Sequence, residues 1–536
     1  MDRVTNDARA FFAIDEGAAS TSASVVARLG GRWRLLAAVS FPAAIETGTI
    51  LTLLAERLTA ADPELAATVG AEDAFDRWTR LVVRARPAGR IAVVAGAERA
   101  VGPFAATATL GGWRVATASA ERLDPLAMTG FLLDPGLDVV LVGAGEPPGA
   151  DERPTLDDLA ALVAAVVRRR PDLTVVLGGS MDQRTGPFED VGDRAGTLVL
   201  GPAPVDPSSE TALRAILDEL RAPADDARRA IVRSVGSLAD ALDRRVEVLE
   251  VGVTGGLRAH ARPGSGGAPG TVLAAIVASA GLTGEDREDV AVDDLMAWTT
   301  IALDRHRLRD RLRELRTAPW GDCSGDGAHF RLAAARAAIS RLVEQTPDLA
   351  ALPSPDLLIA AGGAWAVAPG PAIALALADV VRRPGATHLA YDHARLLGPL
   401  GAIEDAAERR AIVGDLADEL LAPLGSVVMP QGLHPGRSAG RLVVHTEAGP
   451  TEVELVAGGL ELVDLPPGET ATAELHFRDT VRLGTRGRHF SVDVAGGLGG
   501  LLVDLRDVPM RLPERHDRRR ELLAAWQGAL WGGGER

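Results

Sequence analysis

Short apolar runs ending in small residues divide the chain into strands and turns almost from its start. Phe11-Phe12-Ala13-Ile14 leads into Asp15-Glu16-Gly17-Ala18-Ala19-Ser20-Thr21, and the runs Ala23 to Leu29 and Trp33 to Val39 flank Gly30-Gly31, a hairpin signal. The spacing of apolar residues then predicts a helix over 50–60. Between 91 and 205 strands alternate with helices. Ile91 to Ala95, Val139 to Gly143, Thr174 to Gly178 and Thr197 to Gly201 are runs suited to parallel strands covered on both faces. Leu156 to Arg170 reads as an amphipathic helix with arginine at its C-terminal end. Residues 210–244 read as largely helical, with a break near Pro223.

Residues 246–262 repeat the opening theme, with Leu249-Glu250-Val251 running into Gly252-Val253-Thr254-Gly255-Gly256. Arg262 to Gly270 is a loop by composition. A helix over 333–345 precedes a strand, Leu357 to Ala361, that ends in Gly362-Gly363, and 404–422 looks helical. From Val427 to Asp507 helical spacing nearly vanishes, and runs such as Arg441 to His445 and Ala473 to Phe477 alternate between glycine and proline turns. The expected organisation is α/β: one lobe over 8–245 carrying an α/β insertion at about 91–205, a second lobe over 246–405, a helical linker over 406–425, an all-β module over 426–512 and a terminal helix over 513–531.

Composition narrows the function. At 536 residues the chain is too long for one core, and 47% hydrophobic with 24% charged residues is the composition of a soluble globular protein. No uninterrupted apolar run predicts a membrane span, and Met1 to Asp7 lacks the basic-then-apolar pattern of a secretory signal, so the cytoplasm is the expected compartment. A net charge of −16 disfavours nucleic acid and anionic membranes as partners. The triplets Arg168 to Arg170 and Arg518 to Arg520 read as solvated helix ends. Cys323 is the single cysteine, which leaves neither a disulfide nor a cysteine-based zinc site within one chain. All 57 basic residues are arginine. Without lysine there is no Walker A phosphate contact, no Schiff base and no protein-kinase ion pair. No Gly-x-Ser-x-Gly elbow is present either.

Three turns therefore carry the candidate chemistry: the one at Asp15 to Thr21, the one at Glu250 to Gly256, and Gly362-Gly363. Each puts small residues after a buried strand, where backbone N–H groups can approach a phosphate or nucleoside. His388, Tyr391, Asp392 and His393 make a polar cluster, but the two histidines lack the i,i+4 spacing of a zinc helix, and no metal site is expected.

Three such turns in this order resemble the two phosphate loops and the adenosine loop of the actin, hexokinase and Hsp70 ATPase superfamily, which has a ribonuclease H-like core. A strand, phosphate turn and hairpin opens each half of that fold. The order of segments further resembles the MutL-type proteins associated with adenosylcobalamin-dependent glutamate mutase. The best-matching stretch runs from Leu357 through Gly362-Gly363-Ala364 and Pro371 to Tyr391-Asp392, Leu400-Gly401 and Ala402; Leu137 to Gly145 and Thr174 to Gly179 match as well. The resemblance implies Mg-ATP as cofactor, Asp15 and Glu250 as catalytic carboxylates, and Gly17, Ser20, Thr21, Gly252, Gly255, Gly256, Gly362 and Gly363 as nucleotide contacts. It also implies a protein partner, a cobalamin-dependent mutase, whose reactivation or assembly the chain would assist like a chaperone.

The departures fall on the phosphate loops. Ala18 and Ala19 follow Gly17 where the family has hydroxyls, no lysine exists, Glu250 replaces aspartate, and Val253 and Leu257 stand where glycine and a carboxylate are expected. Losing these groups removes most of the charge that binds Mg-nucleotide. The expectation is a degenerate ATPase with weak activity at most and no tightly bound nucleotide. Two competing readings are a small-molecule kinase, with Glu250 as its carboxylate, and a non-enzymatic scaffold. Trp526 and Trp531 on the terminal helix are candidate partner anchors.

Overall fold

The computed structural model describes residues 10–531 apart from 44, 72, 146–151, 190–197, 222–225, 266–269, 322–323, 367, 435 and 507. Met1 to Asp7, Thr197, Pro223, Gly266 to Pro269, Cys323 and the Trp531 side chain lie outside the described residues. The chain forms two compact units. One comprises Met1–Arg86, Ala224–Ala274 and Ser279–Arg536; the other comprises Pro87–Pro223 with Ala275–Ala278.

The first unit opens with β1 (Ala10–Glu16), β2 (Ser20–Leu29), β3 (Arg32–Pro42) and β4 (Thr79–Arg84), in sheet order β3-β2-β1-β4. The hairpin strands are antiparallel, whereas β4 runs parallel to β1. Phe12, Ile14, Ala23 and Val25 bury one face of this sheet against Leu51, Leu54 and Leu58 of the helix Thr47–Leu58. The Phe12 ring stacks on Trp78 at 4.8 Å. The apolar spacing of that helix is what the sequence announced; β4, with arginine at both ends of a short apolar run, is not legible as a strand.

The second unit is a parallel sheet of β5 (Arg90–Ala95), β6 (Arg114–Ser119), β7 (Val139–Ala144), β8 (Thr174–Gly179) and β9 (Leu198–Gly201), ordered β6-β5-β7-β8-β9. Counted within the unit, this is 2-1-3-4-5, a doubly wound order. The helices Glu98–Leu110 and Pro207–Arg221 share a core on one face, and Pro125–Leu132 and Arg153–Arg169 share one on the other. Burial on both faces explains why β5, β7 and β8 read as continuous apolar runs. β6, with the sequence Arg-Val-Ala-Thr-Ala-Ser, lies at an edge and escapes that signature.

After this parallel sheet, β10 (Val246–Val251), β11 (Gly256–Arg262), β12 (Thr271–Val277, counted in the second unit from Ala275 on) and β13 (Leu357–Ala361) repeat the opening order as β12-β11-β10-β13, again with an antiparallel hairpin and β13 parallel to β10. The repeat holds residue by residue. Asp15 pairs with Ser22 and Glu250 with Leu257, seven positions on in both.

This second sheet continues through β14 (Gly385–Tyr391) and β15 (Ala422–Met429). The helices Ala406–Asp415 and Ala417–Leu420 lead into β15, so the last residues expected in a helical linker begin a strand. Beyond it come β16 (Ser438–Thr446), β17 (Gly449–Val456), β18 (Leu460–Val463), β19 (Thr470–Leu483), β20 (Thr485–Ala495) and β21 (Leu501–Asp504). β21 and β18 extend the β15 edge to complete eight strands, while β17-β16-β19-β20 form a separate antiparallel sheet. The β-rich segment is thus shared between two sheets. Val428, Val463, Leu501 and Val503 of the large sheet meet Leu442, Val444, Leu475 and Phe477 of the small one in a single core. The terminal helix His516–Trp531 packs Leu523 on Trp298, Ala333 and Ala337, and Trp526 lies under the Arg506 guanidinium at 4.7 Å. Trp526 is engaged by its own fold.

Candidate functional site

All three turns reach one cavity in the first unit. Asp15, Gly17, Ser20, Glu250, Gly252, Gly362 and Gly363 line it, together with two arginines and a carboxylate that spacing did not single out as one site: Arg228, Arg395 and Asp392. Thr21 lies inside β2 opposite Glu16, and Gly256 opens β11; neither lines the cavity. Gly255 does not line it either, but its carbonyl accepts from Gly252 N–H and Arg228 Nη2.

The two phosphate-type turns close in the same way. Gly17 N–H donates to the Ser20 carbonyl at 2.9 Å, and Gly252 N–H donates to the Gly255 carbonyl at 3.0 Å. Each turn then receives a guanidinium. Arg395 donates from Nε to Asp15 Oδ2 at 2.9 Å, from Nη1 to Ser20 Oγ and O at 2.9 and 3.1 Å, and from Nη2 to the Asp15 carbonyl at 3.1 Å. Arg228 donates from Nε to Glu250 Oε2 at 2.8 Å and from Nη2 to the Gly255 carbonyl at 2.8 Å. In both halves, then, one arginine binds a strand-end carboxylate and the carbonyl five residues further on.

This contact helps to explain why glycine stands at both positions. A Cβ on Gly17 would stand 2.8 Å from Arg395 Nη2, and a Cβ on Gly252 would stand 2.8 Å from Arg228 Nη2. At Gly17 the Ser20 carbonyl, 2.6 Å from the same Cβ, closes the space further.

Each arginine is positioned by its own segment. Asp226 caps the helix Ala227–Leu242 by accepting from Arg229 N–H, which fixes Arg228 in the first turn. Arg395 follows β14 in a left-handed conformation, φ 55°, uncommon for a residue with a side chain. Asp392 holds that bend: its carboxylate accepts from Leu396 and Leu397 N–H at 2.9 and 3.2 Å. Ser22 Oγ ties the Ala394 carbonyl to β2 at 2.9 Å.

Burial dominates the electrostatics. It pushes the Asp392 carboxyl up to about 7, against the pull of the two N–H donors. It pushes the Glu250 carboxyl up as well, opposed by Arg228. Burial pulls Arg395 down most strongly, but the Asp15 charge and hydrogen bond, joined by Tyr391 and Asp392, together hold it above its ordinary value. His388 and His393 are both lowered by burial, and His388 Nδ1 lies 3.0 Å from Ser426 Oγ, in keeping with unrelated roles.

The cavity that remains is about 30 Å³, room for no more than a few water molecules. Small-molecule sites typically need some 300–1,000 Å³. The residues present do not fit Mg-nucleotide in this arrangement. Both strand-end carboxylates are committed to arginine, and the turns offer carbonyls to a cation where a phosphate loop offers N–H groups to an anion.

The repeated strand–turn–hairpin halves, each with a parallel fourth strand, define the two-lobed actin-like ATPase fold, here with an α/β unit after β4 and a C-terminal β extension. No family model matches the chain, and no curated protein matches it. Among solved structures it is similar to a Ppx/GppA family protein of Aquifex aeolicus at 8% identity, over 76% of this chain and 90% of that one, with a TM-score of 0.18. It is also similar to a chain of a PilM–PilN type IV pilus biogenesis complex at 13% identity, over 76% and 98%, with a TM-score of 0.22. A type II variant of the Aquifex aeolicus Ppx/GppA phosphatase gives 8% identity, 76% and 88% coverage, and a TM-score of 0.19. Among the described residues, no helix is long and apolar enough to cross a membrane.

Proposed function

We propose that this chain is a non-hydrolysing accessory protein on an actin-like ATPase fold, in which Arg395 and Arg228 occupy the space of the nucleotide phosphates. The supporting observation is the paired guanidinium contact, which satisfies both turns internally and leaves about 30 Å³. On this reading the fold serves protein binding. The resemblance to MutL-type proteins makes the partner an adenosylcobalamin-dependent mutase, which the chain would help to assemble or reactivate. The kinase alternative loses its catalytic carboxylate, because Glu250 is buried and held by Arg228 at 2.8 Å.

Two measurements test this. Calorimetry of the full chain with Mg-ATP is expected to show no binding tighter than about 1 μM, or about −8 kcal/mol. Tighter binding, or turnover lost in Asp15→Asn, would refute the degenerate cleft. Co-purification from the native cell is expected to recover mutase subunits. Recovery of none would leave the cleft assignment standing and remove the mutase as partner.

A further inference from the structure

The solvent face of the small antiparallel sheet carries an arrangement unrelated to the cleft. His476 on β19 and His489 on β20 are directly opposed across the ladder. Their Nδ1 atoms lie 2.9 Å apart, and the rings meet edge to face with centroids 5.1 Å apart. Glu474 lies on the same face, its Oε2 at 3.8 Å from His476 Nε2 and 3.5 Å from His445 Nε2. The register also puts Arg441, Glu452, Glu454 and Asp493 on this face, and Arg441 is paired with Glu452 at 3.3 Å. The local balance is therefore acidic, which favours a cation.

We propose that His476 and His489 chelate a divalent transition metal through their two Nδ1 atoms. Two nitrogens 2.9 Å apart, each bonded to a metal at about 2.0–2.1 Å, subtend about 90° there; a tetrahedral zinc site would want them nearer to about 3.4 Å apart. A right-angled bite suits tetragonal Cu(II) or Ni(II), and the intrinsic affinity order also places Cu(II) above Zn(II). Metal at Nδ1 requires each imidazole proton to sit on Nε2; the Glu474 carboxylate, 3.8 Å from His476 Nε2, adds negative charge on that side of the ring. Among the described residues no group of three such donors converges, so water completes the coordination and the metal exchanges. The side chains are partly exposed, His476 at 33%, so the metal enters from solvent. The pair lies thirteen positions apart across a strand reversal, so no spacing motif signals it.

The test is a titration of the full chain with Cu(II), Ni(II) and Zn(II), followed by calorimetry and by the paramagnetic resonance of bound Cu(II). The expected result is one saturable Cu(II) site with nitrogen couplings from two imidazoles, and weaker binding of Zn(II). His476→Gln and His489→Gln should each weaken Cu(II) by at least ~10-fold, while the surface control His306→Gln leaves it unchanged. Both substitutions lie on a solvent face, so a matching thermal midpoint separates lost ligation from lost folding. Cu(II) binding unaltered by both substitutions, no saturable site in the native chain, or Zn(II) bound more tightly than Cu(II) would each overturn the proposal.

Discussion

Replacing Arg395 with alanine strips Asp15 of the guanidinium that joins the start of the chain to the segment after β14. The side chain makes four hydrogen bonds, to Asp15 Oδ2, the Asp15 carbonyl, Ser20 Oγ and the Ser20 carbonyl, and is itself 4% exposed. Breaking a buried ion pair by removing one partner costs about 3–5 kcal/mol, because a charge is left behind without compensation. The Asp15 side chain is 12% exposed, so water reaches it, and the lower end, about 3 kcal/mol, is the expected cost. Asp15→Ala strands the arginine instead and is expected to cost as much. The double variant strands neither charge, so the two changes should fall short of additivity by about 2 kcal/mol. Because a chain of two compact units need not unfold in one step, the assay is native-state hydrogen exchange of peptides spanning 10–29 and 385–401. A loss of about 3 kcal/mol appears there as exchange roughly a hundred-fold faster. If the double variant equals the sum of the single variants to within about 0.5 kcal/mol, the pair does not act as a clamp and the account of the closed cleft fails.

Gly17→Ala would place its Cβ 2.6 Å from the Ser20 carbonyl and 2.8 Å from Arg395 Nη2. The expected loss is about 1–3 kcal/mol, read as faster exchange in the same peptides, and unchanged exchange would show that the turn has slack. Gly143→Ala would drive its Cβ to 2.5 Å from the Phe104 ring, so the α/β unit should lose about 1–3 kcal/mol, with part recovered in Phe104→Leu; a melt that leaves Gly143→Ala at the native midpoint contradicts the packing. Asp392 predicts a pH dependence. Its carboxyl is raised from 3.8 to about 7 when folded, so the folded state holds the extra proton. That contribution is complete below the unfolded value and is lost as pH rises through about 7, on the order of 4 kcal/mol. The thermal midpoint of the native chain should therefore fall relative to that of Asp392→Asn between pH 4 and 8, whereas parallel profiles would place the titration elsewhere.

The strands buried on both faces were legible from residue order alone, because β1, β5, β7 and β13 carry uninterrupted apolar runs that no solvated helix tolerates. Edge and half-covered strands such as β4, β6 and β14 were not, since a side open to solvent or to a polar loop admits arginine, threonine and histidine. The β-rich character of 426–512 was legible from alternation. Its division between two sheets was not, because strand alternation marks which residues face a core and not which strand supplies the neighbouring hydrogen bonds.

The sequence by itself determined the repeated strand–turn–hairpin, the glycines at both turns and the absence of lysine, and with these it ruled out the usual cation over a phosphate. Only the tertiary structure decided what the two turns meet, the guanidinium groups of Arg395 and Arg228. Arg228 lies 22 residues before Glu250, and Arg395 lies 380 residues after Asp15. Neither separation carries a local signal, because a guanidinium is placed by the packing of the segment that bears it, here a capped helix and a left-handed bend held by Asp392. The same reason hides the His476–His489 pair. A cross-strand neighbour is fixed by register, and register is a property of the folded sheet.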